Sequence, residues 1–90
     1  MCGISGFFNN QKNRIDKDLL IKLSVILNHR GPDYSGLYYN SHIGLAHNRL
    51  SILDLSEKGN QPFSNERYYL VYNGEIYNYK YLKNDLKKFN

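Results

Sequence analysis

Apolar residues along this 90-residue chain occur in short segments with two different spacings. In residues 15–27 they recur every three or four positions, which is typical of one face of an α-helix. Asp16 or Asn13 is suited to cap the start of this helix, because a short polar side chain can accept a hydrogen bond from a free backbone N–H. Gly31 and Pro32 predict where the helix ends.

Four other segments are short and rich in apolar, aromatic or β-branched residues, which favours strands. They are residues 3–8, 36–39, 43–47 and 68–72. Residues 40–42 join the middle two segments into a predicted hairpin. After Asn78, itself suited to N-capping, Leu82, Leu86 and Phe89 return to helical spacing. The order strand, helix, strands, helix predicts an α+β fold with antiparallel pairs.

The apolar runs and the single cysteine exclude several classes of protein. No aliphatic run exceeds three residues, whereas a membrane-spanning helix needs about 20 apolar residues. The start of the chain lacks the basic and apolar regions of a secretory signal. Cys2 cannot form an internal disulfide, which favours a reducing, cytoplasmic compartment. The spacing of His29, His42 and His47 does not fit a metal site, so none is predicted.

The formal net charge is +4, and part of the excess is a run of lysines late in the chain. Lys80, Lys83, Lys87 and Lys88 accompany a single acidic residue, Asp85. A solvated helix face explains this run. A nucleic-acid-binding surface is the alternative, because aromatic residues lie among the lysines. We favour the solvated face and expect no nucleic-acid partner, since those aromatic residues also fit core positions.

Cys2 follows the initiator methionine and is the first candidate for chemistry. Removal of Met1 would leave a thiol and a free α-amine on the same residue. Since an α-amine titrates at about 7.7 to 8.0, it can accept the thiol proton while the sulfur attacks a carbonyl carbon. The alternative is a small, partly apolar residue without a chemical role.

Residues 73–75, Asn-Gly-Glu, are the second candidate. The Asn73 amide and the Gly74 backbone N–H lie side by side in sequence and could stabilise an oxyanion. In that setting the Glu75 carboxylate could pair with a substrate ammonium. The alternative is a tight β-hairpin between residues 68–72 and 75–79, for which Asn-Gly is the standard signal.

Arg49 is the third candidate, because a guanidinium can bind a carboxylate through two parallel hydrogen bonds. It precedes an apolar segment that includes Leu50 and Ile52. The alternative is a surface ion pair with Asp54 or Glu57, which contributes about 0 to 1 kcal/mol.

Five segments in this order link the candidates: MCGISG at residues 1–6, HRGPDYSG at 29–36, AHNRLSILD at 46–54, GNQP at 59–62 and NGEIYN at 73–78. Together they resemble the glutaminase domain of glutamine-hydrolysing asparagine synthetases. The wider family is the class II glutamine amidotransferases, which are N-terminal nucleophile hydrolases. The forms RLSI and EIYN favour the asparagine synthetase branch over the glucosamine-phosphate synthase and amidophosphoribosyltransferase branches.

The resemblance implies a role for each candidate residue. Cys2 would be the nucleophile after removal of Met1, and Asn73 with Gly74 would form the oxyanion hole. Two further sets would bind the substrate. Arg49 and Glu75 would hold the α-carboxylate and α-ammonium of glutamine, and the backbone near Leu50 and Ile52 would line the pocket.

The resemblance also implies a fold and partners. The fold would be part of a four-layer α-β-β-α sandwich with antiparallel sheets, and residues 1–90 would be the N-terminal portion of the glutaminase domain. This segment would need no cofactor, since ATP and Mg²⁺ belong to a synthetase domain that it lacks and that acts in cis or in trans. The ammonia would serve the ATP-dependent amidation of aspartate to asparagine, and a homodimer is compatible with the family.

Two alternatives to an asparagine synthetase stay open at this stage. Related amidotransferases pass ammonia to a sugar, a peptide or an antibiotic instead of aspartate. A non-catalytic remnant could keep part of the fold as an interaction module. Only an asparagine synthetase and the related amidotransferases predict glutamine hydrolysis that depends on Cys2.

Overall fold

The computed structural model describes residues 1–10, 16–51 and 55–89. These residues form two α-helices and five strands, with 3₁₀ turns at Glu57–Gly59 and Lys87–Phe89. The elements in chain order are β1 (Gly3–Phe8), α1 (Lys17–Ile26), β2 (Tyr34–Tyr39), β3 (Ile43–Arg49), β4 (Phe63–Ser64), β5 (Tyr69–Leu70) and α2 (Tyr79–Leu86). The α+β class predicted from the sequence is confirmed.

β3 is the central strand of a three-stranded antiparallel sheet in the order β1-β3-β2. Its register with β1 runs from Gly3 opposite Asn48 to Phe8 opposite Ile43. The predicted hairpin joins β2 to β3, and Asn40 stabilises its turn. The Asn40 side chain accepts hydrogen bonds from the backbone N–H groups of His42 and Ile43, both at 2.8 Å.

α1 covers one face of this sheet through a narrow stripe of side chains. Leu20 is fully buried and lies against Gly44, where an added Cβ would be 3.3 Å from both Leu20 methyl groups. Ser24 Oγ lies 3.3 Å from Asn48 Oδ1, and Asn48 Nδ2 donates to Ser35 Oγ at 3.1 Å. The buried Asn48 amide therefore ties α1, β3 and β2 together.

The start of α1 agrees with the sequence prediction, and its end does not. Asp16 caps the helix by accepting from the Leu19 N–H at 3.2 Å, while Asn13 lies outside the described residues. The helix ends at Ile26, before Gly31. Gly31 is instead buried against β3, where a Cβ would overlap the Asn48 carbonyl oxygen. This glycine is required by close backbone approach and not by helix termination.

The opposite face of the sheet, here named the site face, carries Tyr38, His47 and Arg49. β4 and β5 pair as a separate two-stranded sheet, with Phe63 opposite Leu70. The Tyr69 ring of β5 stacks on Tyr38 with centroids 3.5 Å apart. Residues 56–72 therefore cover part of the site face. On the β1 side of the same face, Ile4 is 45% and Phe8 69% exposed within the described residues.

The predicted hairpin around residues 73–74 does not form. β5 pairs with β4, the strand that precedes it in the chain, and residues 73–78 contain no strand. The predicted strand at residues 68–72 is reduced to Tyr69–Leu70. Since the backbone of residue 72 bonds to side chains from other segments, the Asn-Gly pair becomes an open bend and not a hairpin turn.

Apolar surface on α2 is uncovered within the described residues. Leu82 is 39%, Leu86 63% and Phe89 80% exposed. Asn78 occupies the N-cap position of α2, as predicted, but its side chain makes no capping hydrogen bond. The radius of gyration is 14.8 Å, against about 12 Å for a compact domain of this length. Among the described residues, no helix is long and apolar enough to cross a membrane.

Candidate active site

The Cys2 thiol lies against the backbone of Leu50, at the edge where β1 begins and β3 ends. The Leu50 N–H donates to Cys2 Sγ at 3.3 Å, and the Leu50 carbonyl oxygen lies 3.7 Å from the same sulfur. The register of β1 against β3 causes this contact, because Gly3 pairs with Asn48. The partly buried sulfur thus has a backbone donor that can stabilise negative charge on it.

Asp33 holds the chain on both sides of Leu50. Its backbone N–H donates to the Arg49 carbonyl oxygen at 3.0 Å, and its carboxylate accepts from the Ser51 N–H at 2.7 Å. These two bonds fix the direction in which the chain leaves β3. They therefore help to hold the Leu50 N–H against the thiol of Cys2.

Arg49 is 7% exposed, so its guanidinium does not lie on the surface; Asp54, one of the two partners considered from the sequence, lies outside the described residues. Its Nη1 donates to the Ser56 carbonyl oxygen at 2.6 Å and to Asn60 Oδ1 at 2.8 Å. Gly59 allows this loop to approach, because a Cβ there would overlap the guanidinium. The guanidinium is therefore fixed by the loop of residues 56–60.

A cavity of about 260 Å³ lies beside Arg49 and is lined in part by Asp33, Glu57 and Asn60. One guanidinium and two carboxylates border it, which suits the carboxylate and ammonium groups of an α-amino acid. Larger hollows of about 650 and 550 Å³ occur on α2, but they are lined almost wholly by residues of that one helix. The Arg49 cavity is the better candidate for a binding site because polar groups from several segments converge there.

His47 on β3 connects the site face to the segment that precedes Asn73. Its Nε2 lies 3.1 Å from the Tyr72 carbonyl oxygen, and the residue is fully buried. Burial lowers the pKa of His47 below 6.5, the nearby Arg49 charge lowers it further, and the Tyr72 bond opposes both. The imidazole is therefore neutral at pH 7.

The Asn73-Gly74 pair follows directly from this anchored residue. Asn73 is half-buried, whereas Gly74 and Glu75 are exposed. Gly74 is in contact with the Tyr72 ring, and a Cβ would lie 2.6 Å from its hydroxyl oxygen. Among the described residues, no hydrogen bond joins Cys2 to residues 73–75, and Glu75 is not part of the lining of the Arg49 cavity.

The sequence predictions for the site therefore have different outcomes in the structure. Cys2, Arg49 and Leu50 come together at one end of the sheet. Asn73, Gly74 and Glu75 form a separate bend held near β3, and Ile52 lies outside the described residues. No individual role was predicted for Asp33, and His47 was placed only at the end of a predicted strand. The alternation of His47 and Arg49 on one strand face could have indicated His47, because side chains two residues apart share a face.

Comparison with known proteins gives consistent matches. A sequence model described as a glutamine amidotransferase domain matches residues 1–90. "Asparagine synthetase [glutamine-hydrolyzing] 1" of Bacillus subtilis is 42% identical over 97% of this chain, which covers 14% of that protein. "Asparagine synthetase B [glutamine-hydrolyzing]" of Escherichia coli is 41% identical over 92% of this chain, which covers 15% of it.

A third relative, "Amidase chry2" of Gibberella zeae, is 42% identical over 96% of the chain, which covers 15% of that protein. No solved structure gives a significant match. The chain thus spans about one seventh of the length of these relatives. Since the family model matches every residue of the chain, the chain belongs to the glutamine amidotransferase domain family.

Proposed function

We propose that this chain is the nucleophile-bearing part of a glutaminase site that releases ammonia from glutamine. The observation that carries the proposal is the contact between the Cys2 thiol and the Leu50 N–H at 3.3 Å, next in sequence to the buried Arg49. A nucleophile and a carboxylate-binding group then share one end of the sheet. Glutamine presents an amide carbon and an α-carboxylate to these two groups.

In the proposed reaction, removal of Met1 frees the α-amine of Cys2. The amine takes the thiol proton, and the sulfur forms a bond to the side-chain amide carbon of glutamine. The resulting oxyanion is stabilised by the Asn73 amide and the Gly74 N–H. Collapse of this intermediate breaks the C–N bond, and the departing nitrogen takes the proton and leaves as ammonia. Water then hydrolyses the thioester to glutamate and restores the thiol.

Substrate binding in this proposal is divided between fixed groups. Arg49 binds the α-carboxylate, and the backbone at Leu50, together with Ile52, borders the side chain. Glu75 is assigned to the α-ammonium by resemblance to the family. The carboxylates of Asp33 and Glu57 border the same cavity as Arg49, which supports an ammonium-binding role for them as well.

The activity of the whole protein is a further part of the proposal. The names of two relatives, glutamine-hydrolysing asparagine synthetases, support use of the ammonia in asparagine synthesis. Aspartate as the acceptor, and a synthetase domain outside this segment that binds ATP and Mg²⁺, are proposed from the resemblance to the family. The open part of the site face supports a second sheet packed there, as in a four-layer α-β-β-α sandwich. A reducing cytoplasmic location fits a nucleophile that must remain a free thiol. The same proposal includes a synthetase domain that acts in cis or in trans, and assembly of the protein as a homodimer.

Ammonia release from glutamine by the full-length natural protein tests the proposal. We expect wild-type protein to release ammonia and Cys2→Ala to release none, while both unfold at the same denaturant concentration. Cys2→Ser is the matched control, because it keeps the size and polarity of the side chain but is a poorer nucleophile. Undiminished ammonia release by Cys2→Ala would refute the proposal.

A further inference from the structure

His47 is a fully buried histidine on the central strand that the proposed reaction does not use. It lies opposite Ile4 of β1 and Gly36 of β2 in the sheet register. Its side chain shares the site face with Arg49, two residues along the same strand. A polar ring occupies a buried position that usually holds an apolar side chain. Its contribution to stability therefore depends on its hydrogen bonds.

The contact with Tyr72 determines which ring nitrogen carries the proton. A carbonyl oxygen only accepts, so Nε2 of His47 is the donor in the 3.1 Å bond to Tyr72. Nδ1 is buried and has no hydrogen-bond partner among the described residues. Adding a proton to Nδ1 would bury an unpaired charge beside the Arg49 guanidinium, which is unfavourable. The ring therefore acts as a fixed, neutral donor.

The carbonyl group that His47 binds belongs to the same planar peptide unit as the N–H of Asn73. Because a peptide unit is rigid, fixing its C=O also fixes its N–H and the start of the Asn73 backbone. On the other side of the residue, the Tyr72 N–H donates to Gln61 Oε1 at 2.6 Å. The backbone is thus held on both sides of Tyr72, immediately before the Asn73-Gly74 bend.

We propose that His47 is a positioning residue that orients the Asn73-Gly74 segment by donating a hydrogen bond to the Tyr72 carbonyl. This inference rests on the proposed glutaminase function, in which that segment forms the oxyanion hole. His47 itself touches no reacting atom. Its effect appears in the transition state, because the oxyanion exists only after the sulfur has attacked.

Two substitutions separate this role from a general effect on folding. His47→Leu removes the donor and keeps an apolar body of similar size, whereas His47→Gln keeps an N–H at the end of a chain of similar reach. The control is His42→Leu. His42 also contacts a backbone carbonyl, with Nδ1 3.1 Å from the Asn9 oxygen, but it is exposed in the β2-β3 turn.

The measurement is glutaminase kcat and KM in the full-length natural protein, with kcat expressed per active site. A glutamine-mimicking diazoketone that alkylates Cys2 counts the active sites, so unfolded molecules do not enter the rate. We expect His47→Leu to lower kcat about ten- to hundredfold with little change in KM. His47→Gln should recover most of the loss, and His42→Leu should match wild type.

A His47→Leu protein with wild-type kcat per labelled site would overturn the inference and leave the proposed function intact. Wild-type protein that neither releases ammonia nor reacts with the diazoketone would refute the proposed function and, with it, this role for His47. Imidazole ¹⁵N NMR of wild-type protein adds a test that needs no variant to fold. We expect a proton on Nε2 of His47 at pH 7, and a proton on Nδ1 alone would overturn the inference.

Discussion

Replacing Asn73 with alanine should affect turnover and leave the stability of the fold almost unchanged. The Asn73 side chain is half-buried and makes no hydrogen bond to another described residue. The hairpin that would have given it a structural role is absent. Substitutions at positions of this kind usually change the free energy of unfolding by no more than about 0.5 kcal/mol.

The expected kinetic effect is much larger. If the Asn73 amide donates to the oxyanion, its loss removes about 3 to 4 kcal/mol of transition-state stabilisation, which corresponds to about 10²- to 10³-fold in kcat. KM for glutamine should change little, because the oxyanion is absent from the ground-state complex. Loss of the Asn73 side chain should therefore lower kcat strongly and leave the free energy of unfolding almost unchanged.

Asn40→Ala is the matched control, since it changes the same residue type in the opposite situation. Its side chain accepts two backbone hydrogen bonds at 2.8 Å in the turn between β2 and β3. Removing them should cost about 1 to 2 kcal/mol of unfolding free energy and leave kcat per active site unchanged. The assays are urea unfolding and ammonia release with active sites counted by alkylation. Equal losses of stability and kcat in Asn73→Ala would show that Asn73 acts through folding and not through the oxyanion.

Three further predictions concern β3 and its neighbours. Arg49→Lys should raise KM for glutamine about tenfold or more in the ammonia assay. Lysine cannot keep the hydrogen bonds to Ser56 and Asn60 and at the same time make a charge-assisted contact to substrate, which contributes about 1.5 to 3 kcal/mol. Gly31→Ala should cost about 3 kcal/mol in urea unfolding, since its Cβ would overlap the Asn48 carbonyl oxygen; unchanged stability would contradict that packing. The pKa of His47 is lowered in the folded protein, so the unfolded chain takes up a proton first as pH falls. The contribution of His47 to stability is therefore complete above about pH 6.5 and is lost as pH falls from there through the lower folded pKa. Urea unfolding at a series of pH values should show this loss in wild type and a smaller loss in His47→Gln.

Local sequence patterns were sufficient to predict the elements whose hydrogen bonds are made by neighbouring residues. β1, α1 and the β2-β3 hairpin appear where spacing and turn residues placed them, and Asp16 caps α1 as expected. The sequence predictions are wrong where contacts between residues far apart in the chain determine the local structure. Gly31 was interpreted as a helix stop, although it lacks a side chain because the backbone of β3, which lies far along the chain, packs against it.

The Asn-Gly pair shows the same limit in a second way. By local preference it predicts a hairpin, but residue 72 is bonded to His47 and Gln61 from other segments, and β5 pairs with β4. The contact of Cys2 with Leu50 was likewise beyond any local pattern, because it depends on the register of β1 with β3. The resemblance to a family assigned roles to Cys2 and Arg49 without supplying the contacts that hold them.

The intact mass of the protein shows whether Cys2 is the nucleophile of a glutamine-binding site. The mass of purified full-length protein is measured before and after treatment with the diazoketone, with and without excess glutamine. We expect loss of Met1 and a single adduct on Cys2 that glutamine prevents. A protein that has lost Met1 but gains no adduct, or gains one that glutamine does not reduce, would contradict this expectation.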